Sequence, residues 1–241
     1  MVDPLQIIKM WLRRLRLRLA GVRPELRCDL LPLGRGTGTW FVCPDRIRPD
    51  SVVYSFGVGD NIDWDLAMIE RFGVRIHAFD PTPRAGKWIA GLDLPERFIF
   101  HDVGLAAHDG TMTFHPPRKD GDFNYSLLKR RGPKQSVEGR VRRLSGLMEE
   151  LGHDRVDVLK MDIEGAEDAA LPDILEAGVP MGQLLVELHY NFKGISFGGT
   201  LRLIDRLRAA GMRLAHVSGR GYEFTFVNER AFENPPRAGF R

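Results

Sequence analysis

Five short apolar runs recur along the chain: VVYSF at residues 52–56, VRIHAF at 74–79, FIFHDV at 98–103, VDVLKM at 156–161 and QLLVEL at 183–188. They are rich in β-branched and aromatic residues and do not alternate strictly with polar ones, the pattern of strands buried on both faces of a parallel sheet. Between them the apolar period lengthens to that of a helix. Ile62, Leu66 and Ile69 share one face before Gly73, and Leu201, Ile204 and Leu207 share another before Gly211. Ser145 is expected to cap a short helix through Leu151, Thr200 to cap the helix that ends at Gly211, and Pro172 to kink the helix running to Ala177. Residues 212–217 and 222–227, separated by Ser-Gly-Arg-Gly, read as an antiparallel pair. An Asp109-Gly110 turn leads into residues 111–114, read as a hairpin. Strand alternating with helix predicts an α/β domain: a mainly parallel sheet with helices on both faces, closed by a C-terminal antiparallel hairpin.

The pattern divides the chain into four parts: a helix at 1–20, an irregular lead-in or lid at 21–50, the main domain at 51–230 and a tail at 231–241. In the first part Leu5, Ile8, Trp11, Leu12, Leu15 and Leu19 fall at helical spacing among Lys9, Arg13, Arg14, Arg16 and Arg18. Such a basic amphipathic helix either attaches to an anionic membrane surface or a partner, or docks on its own domain or a second copy. Its apolar runs are too short for a membrane span or a signal-peptide core. The run Gly34-Arg35-Gly36-Thr37-Gly38-Thr39 is no phosphate loop, because neither a preceding strand nor a closing Lys-Ser/Thr is present. Residues 115–136, polar and carrying Phe123, Asn124 and Tyr125, read as a long loop over the site.

A net charge of +3 clusters only at the N-terminus, so no nucleic-acid partner is expected. Cys28 and Cys43 lie outside close-pair metal spacing, and two thiols make no disulfide framework. A reducing, cytoplasmic setting is therefore expected, with peripheral membrane or partner contact through residues 1–20.

Chemistry gathers at the carboxyl ends of the expected strands. Residues 52–80 form a strand, a two-glycine turn, a helix and a second strand ending on Asp80, the unit that holds a nucleotide-like cofactor. Asp60, Asp80, Asp102, Asp162, Glu164 and His189 all fall near strand ends, where such sheets bind ligands. VVYSFGVGDNIDWD, HAFDPTP, HDVGLA, LKMDIEGAE and LLVELH follow one another in the order of the FkbM-like S-adenosylmethionine-dependent methyltransferases. The chain resembles that family, in the branch that includes the animal methyltransferase-like proteins, over residues 52–228.

The resemblance implies a Rossmann-like class I methyltransferase fold with seven strands, one of them antiparallel. It also implies that Gly57 and Gly59 pass the methionine part of S-adenosylmethionine and that Asp80 accepts from both ribose hydroxyls. Asp102 and Val103 would border the adenine, and Asp162 and Glu164 would face the sulfonium or the acceptor. Two positions depart from the commoner class I pattern: Ser55 stands where an acid is frequent and Asn61 where a third glycine is frequent. The first leaves Asp60 or Asp162 to hold the amino end; the second disfavours a dinucleotide.

The expected reaction is methylation of an oxygen on a small polar molecule or glycan, with His189 or Asp162 as candidate base. Asp162, Glu187 and His189 offer metal ligands, but strand alternation puts Glu187 and His189 on one face without aiming either at Asp162, and no metal is expected. A nicotinamide-dependent oxidoreductase and a non-catalytic binding module tethered by residues 1–20 are the alternatives.

Overall fold

The computed structural model describes residues 4–116, 125, 136–192 and 194–228. Phe123, Asn124 and the expected tail at 231–241 lie outside them. Val52–Phe56 (β3), Arg75–Phe79 (β4), Phe98–His101 (β5), Val156–Met161 (β9) and Met181–Glu187 (β10) are the five expected strands. With Met212–Val217 (β11) and Glu223–Asn228 (β12) they form one seven-stranded sheet in the order β11-β12-β10-β9-β3-β4-β5. All neighbours are parallel except β12, which pairs antiparallel with both β10 and β11. This is the class I methyltransferase arrangement. The order reverses between β3 and β9, and at that switch the crossovers leave on opposite sides and open a crevice at the strands' carboxyl ends.

The central strands are buried on both faces, β9 along its whole length. Tyr54, Phe56, Phe79, Leu159, Met161, Leu184 and Val186 pack into one layer, and Val53, Ile76, Ala78, Val158 and Leu185 into the other. Helices Asp63–Phe72 (α2), Pro83–Ile89 (α3), Leu144–Leu151 (α4), Glu167–Glu176 (α5) and Phe197–Ala209 (α6) supply the outer shells.

Several local expectations change. The α4 N-cap is Arg143 without a side-chain hydrogen bond, so Ser145 does not cap it; α6 begins at Phe197 under a Ser196 cap, placing Thr200 inside the helix. Helix α5 continues through Pro172. Thr82 caps α3, a helix the sequence pattern did not reveal, accepting from the Ala85 N–H with Pro83 in the first turn. The expected hairpin is instead a three-stranded sheet: Gly110–Phe114 (β7) pairs antiparallel with Val137–Arg142 (β8), across the long loop, and Gly104–Leu105 (β6) pairs parallel with β8.

The lead-in is ordered against the domain. Leu31–Leu33 (β1) pairs antiparallel with Trp40–Val42 (β2), and Trp40 and Val42 are buried. Gln183, in the centre of β10, accepts from the Cys43 N–H at 2.8 Å and donates to the Cys43 carbonyl at 3.0 Å, so its amide continues the sheet's bonding into this segment. Cys28 and Cys43 form a disulfide. The hairpin between them returns the chain on itself and brings the thiols together, a pairing that 15 residues of separation concealed, and it removes the support the cysteines lent to a reducing compartment.

Pro4–Leu19 (α1) docks on its own domain by one edge. Leu17 is buried, the Arg13 guanidinium lies 3.8 Å from the Tyr222 ring centroid, and that of Arg16 lies 3.8 Å from Phe197. Leu5, Ile8, Trp11 and Leu12 remain more than half exposed. Among the described residues no helix is long and apolar enough to cross a membrane.

Candidate active site

The crevice opens where β3, β4 and β9 end. The turn after β3 has Gly57 at φ +83°, and a Cβ there would lie 1.7 Å from the Asp162 carbonyl oxygen, so only glycine lets the two strand ends approach. Asn61 replaces the absent third glycine with a structural role: its Oδ1 accepts from the Asp63 N–H at 2.9 Å and supports the first turn of α2. Asp60 stands exposed on the rim.

Asp80 lies buried at the end of β4. Its Oδ2 accepts from the Gly59 N–H at 3.1 Å, and its Oδ1 from the Thr82 N–H at 2.9 Å and the Thr82 hydroxyl at 2.6 Å. Burial pushes its pKa up, and these donors oppose the rise. A carboxylate has about four acceptor positions. Gly59 and Thr82 take three of them and the Val58 N–H also acts on the group, so Asp80 chiefly shapes the glycine turn.

The second wall comes from the segment after β9. Asp162, Ile163, Glu164 and Ala166 line the cleft, with Glu187 at the end of β10 and Arg220 beyond. Glu164 adopts φ +52°, the sole positive value on a non-glycine among the described residues. Strain of this kind persists where surroundings over-determine it, and here the agent is Glu167. Buried in the first turn of α5, Glu167 accepts from the Ile163 N–H at 3.0 Å and the Gly165 N–H at 2.9 Å, bending the loop so that Asp162 and Glu164 face one point.

That point is His189. Its Nδ1 meets Glu167 Oε1 at 3.0 Å, while its Nε2 lies 3.8 Å from Asp162, 3.9 Å from Glu187 and 4.0 Å from Glu164. Alternation along β10 does not govern this geometry, because the strand ends at Glu187 and His189 lies beyond it. The imidazole stands behind the cleft wall rather than on it. Burial would lower its pKa, but the Glu167 hydrogen bond and charge, then Asp162 and Glu187, raise it to about 10. Burial first, then the Asp162 charge, pushes Glu187 up to about 7, although Arg220 lies 3.2 Å away.

Asp102 and Val103 do not reach the cleft. Val103 is in the core, the Asp102 carbonyl accepts from Arg140, and Gly104 and Leu105 of β6 line the wall instead. Several lining residues went unnoticed as site residues in the sequence. Lys160, 4% exposed at the penultimate position of β9, reaches the cleft with its ammonium 5.3 Å from the Trp40 ring centroid. Thr37 and Gly38, in the glycine run, join Trp40 as a third wall. Only Lys160 left a signal: a cation inside an otherwise apolar strand run. Phe114 and Tyr125 border the opening from the side of the long loop.

Sheet order and cleft together define a Rossmann-like methyltransferase domain. The family model for a methyltransferase domain matches residues 9–194, and the chain belongs to that family. It is 27% identical over 200 residues to the probable methyltransferase-like protein 24 of Rattus norvegicus, covering 74% of this chain and 48% of that protein. It is 27% identical over 149 residues to the 2-O-methyltransferase NoeI of Sinorhizobium fredii (strain NBRC 101917 / NGR234), covering 54% of this chain and 58% of that one. The chain thus spans about half the length of the curated relatives it matches. Among solved structures it is similar to a fibrillarin pre-rRNA processing protein of Methanococcus jannaschii, with a TM-score of 0.48 and 10% identity over 76% of this chain and 69% of that one.

Proposed function

We propose that this protein is an S-adenosylmethionine-dependent methyltransferase of the FkbM-like branch, acting on a hydroxyl of a small polar molecule or glycan. The observation that carries the reading is the sign of charge in the cleft. Asp60, Asp80, Asp162, Glu164 and Glu187 line it against Lys160 and Arg220. An excess of carboxylates favours a cationic sulfonium and disfavours the pyrophosphate of a nicotinamide dinucleotide.

The residues present fit such a cofactor. Asp80 lines the cleft beside the glycine turn where a ribose would lie, that turn admits close approach of backbone, and Lys160 offers a counter-charge to the carboxylate of the methionine end. When bound, the cofactor supplies an electrophilic methyl group. A carboxylate of the cleft wall would accept the proton that the acceptor hydroxyl gives up as it takes that methyl group. The chain's contribution is alignment of the two reactants and exclusion of water. Oxygen as acceptor is supported by the name of the relative NoeI, a 2-O-methyltransferase.

Isothermal titration with S-adenosylhomocysteine tests the reading. One site per chain and no binding of NADH are expected; a folded protein that binds no S-adenosylhomocysteine would overturn it.

A further inference from the structure

The cluster around His189 has the composition and spacing of a metal site. Asp162, Glu164 and His189 each offer a ligand atom, and these atoms lie within 4.8 Å of one another. The imidazole is buried, and its Nε2 faces three carboxylates at 3.8–4.0 Å, within ion-pair reach but beyond hydrogen-bonding range. Two ligands that share a cation, each about 2.1 Å from it, stand roughly 3 to 4 Å apart. Asp162 Oδ1, the nearest of these neighbours, is likewise buried without a hydrogen-bond partner. The imidazole nitrogen and a carboxylate oxygen that has no hydrogen bond thus face each other across 3.8 Å, a gap that one ion fills.

The remainder of the surroundings agrees. A ligating histidine ordinarily directs its other nitrogen to a carboxylate, which fixes ring and tautomer; Glu167 is in that position at 3.0 Å from Nδ1. Glu167 also accepts from the backbone on both sides of Glu164, so one residue orients both the histidine and the carboxylate loop. Glu187 is held by Arg220 at the edge of the cluster. Three protein ligands leave positions facing the cleft, as catalytic metal sites do.

We propose that Asp162, Glu164 and His189 bind one divalent first-row cation, with Glu167 as a positioning residue behind His189. One nitrogen and two hard carboxylates suit Mn2+ better than a thiolate-preferring or an all-oxygen ion. On the methyl-transfer reading, the open positions would receive the acceptor hydroxyl and favour loss of its proton to a neighbouring carboxylate.

The experiment uses the full chain stripped with EDTA and titrated with Mn2+, bound and free metal being distinguished by electron paramagnetic resonance, with no cofactor present. One Mn2+ per chain is expected. Glu164→Gln should weaken it at least about tenfold, and Glu167→Gln about 10- to 100-fold, each variant first shown folded by circular dichroism. A folded wild-type chain that binds no Mn2+, or Mn2+ binding unchanged in both variants, would overturn the proposal. S-adenosylhomocysteine is titrated separately. Cofactor binding without Mn2+ binding removes the metal site alone; Mn2+ binding without cofactor binding supports the site and removes the methyltransferase reading.

Discussion

Asp80 shows how one side chain can both build a site and serve it. Its carboxylate ties the glycine turn to the start of α3 through Gly59 and Thr82. Asp80→Asn keeps an acceptor for Thr82 but turns an amide N–H toward that of Gly59. We expect S-adenosylhomocysteine affinity to fall about 10- to 100-fold and stability by about 1 to 3 kcal/mol, measured by calorimetry and urea unfolding. Unchanged affinity would remove Asp80 from the cofactor site. Glu167 has the same double character on the other wall. It is invisible as a site residue in LKMDIEGAE because its function is exercised through the loop and His189, not on the cleft.

At the scale of elements, the two segments that precede the sheet turn out to be fastened to it. In α1, Leu17 carries the attachment while Trp11 faces outward. Leu17→Ala should therefore lower stability by about 2 to 4 kcal/mol and Trp11→Ala by less than about 0.5, both read from urea midpoints. Equal effects would contradict this docking. The Cys28–Cys43 link fastens the lead-in to its own hairpin. Closing a loop of that length stabilises by about 3 kcal/mol, so Cys28→Ser should lose about 2 to 3 kcal/mol, and reductant should reproduce that loss only in the wild type. Free-thiol titration of the unfolded, unreduced chain gives an independent check, with no reactive thiol expected.

The whole molecule should respond to acid through a histidine cluster on the far side of β4. His77 Nδ1 meets His101 Nε2 at 3.0 Å, His153 packs edge-on against His77, and the Tyr54 hydroxyl bonds His153 at 2.7 Å. Burial, then the neighbouring His101, His153 and Arg75, lowers the His77 pKa to about 4; burial also lowers His101 and His153, against the opposing charges of Glu150 and Asp154. Well above pH 6.5 folded and unfolded chains are both neutral at these positions. As pH falls from about 6.5 to 4 the unfolded chain takes up protons that the fold refuses, and stability drops by up to about 3 kcal/mol from His77 alone. Urea midpoints across that range should show the slope, and His77→Phe should flatten it.

How much of this was legible beforehand differs by kind of information. The five buried strands and the closing pair could be read from apolar runs and their spacing, because burial on both faces leaves a local mark in composition. Asp80, Asp162 and Glu164 could be placed near the site because strand ends are where such sheets open. Strand β8, the disulfide, Lys160 on the cleft and the approach of His189 to Asp162 could not. Each depends on residues far apart in the chain, brought together by strand order, or on a strand stopping two residues before the alternation rule would have applied. The sequence by itself determined which segments must be buried and in what order they cross the sheet, since those choices are made by local hydrophobicity. Only the tertiary structure decided which polar groups share a point in space, because that depends on where neighbouring strands end and on how Glu167 bends the loop after β9.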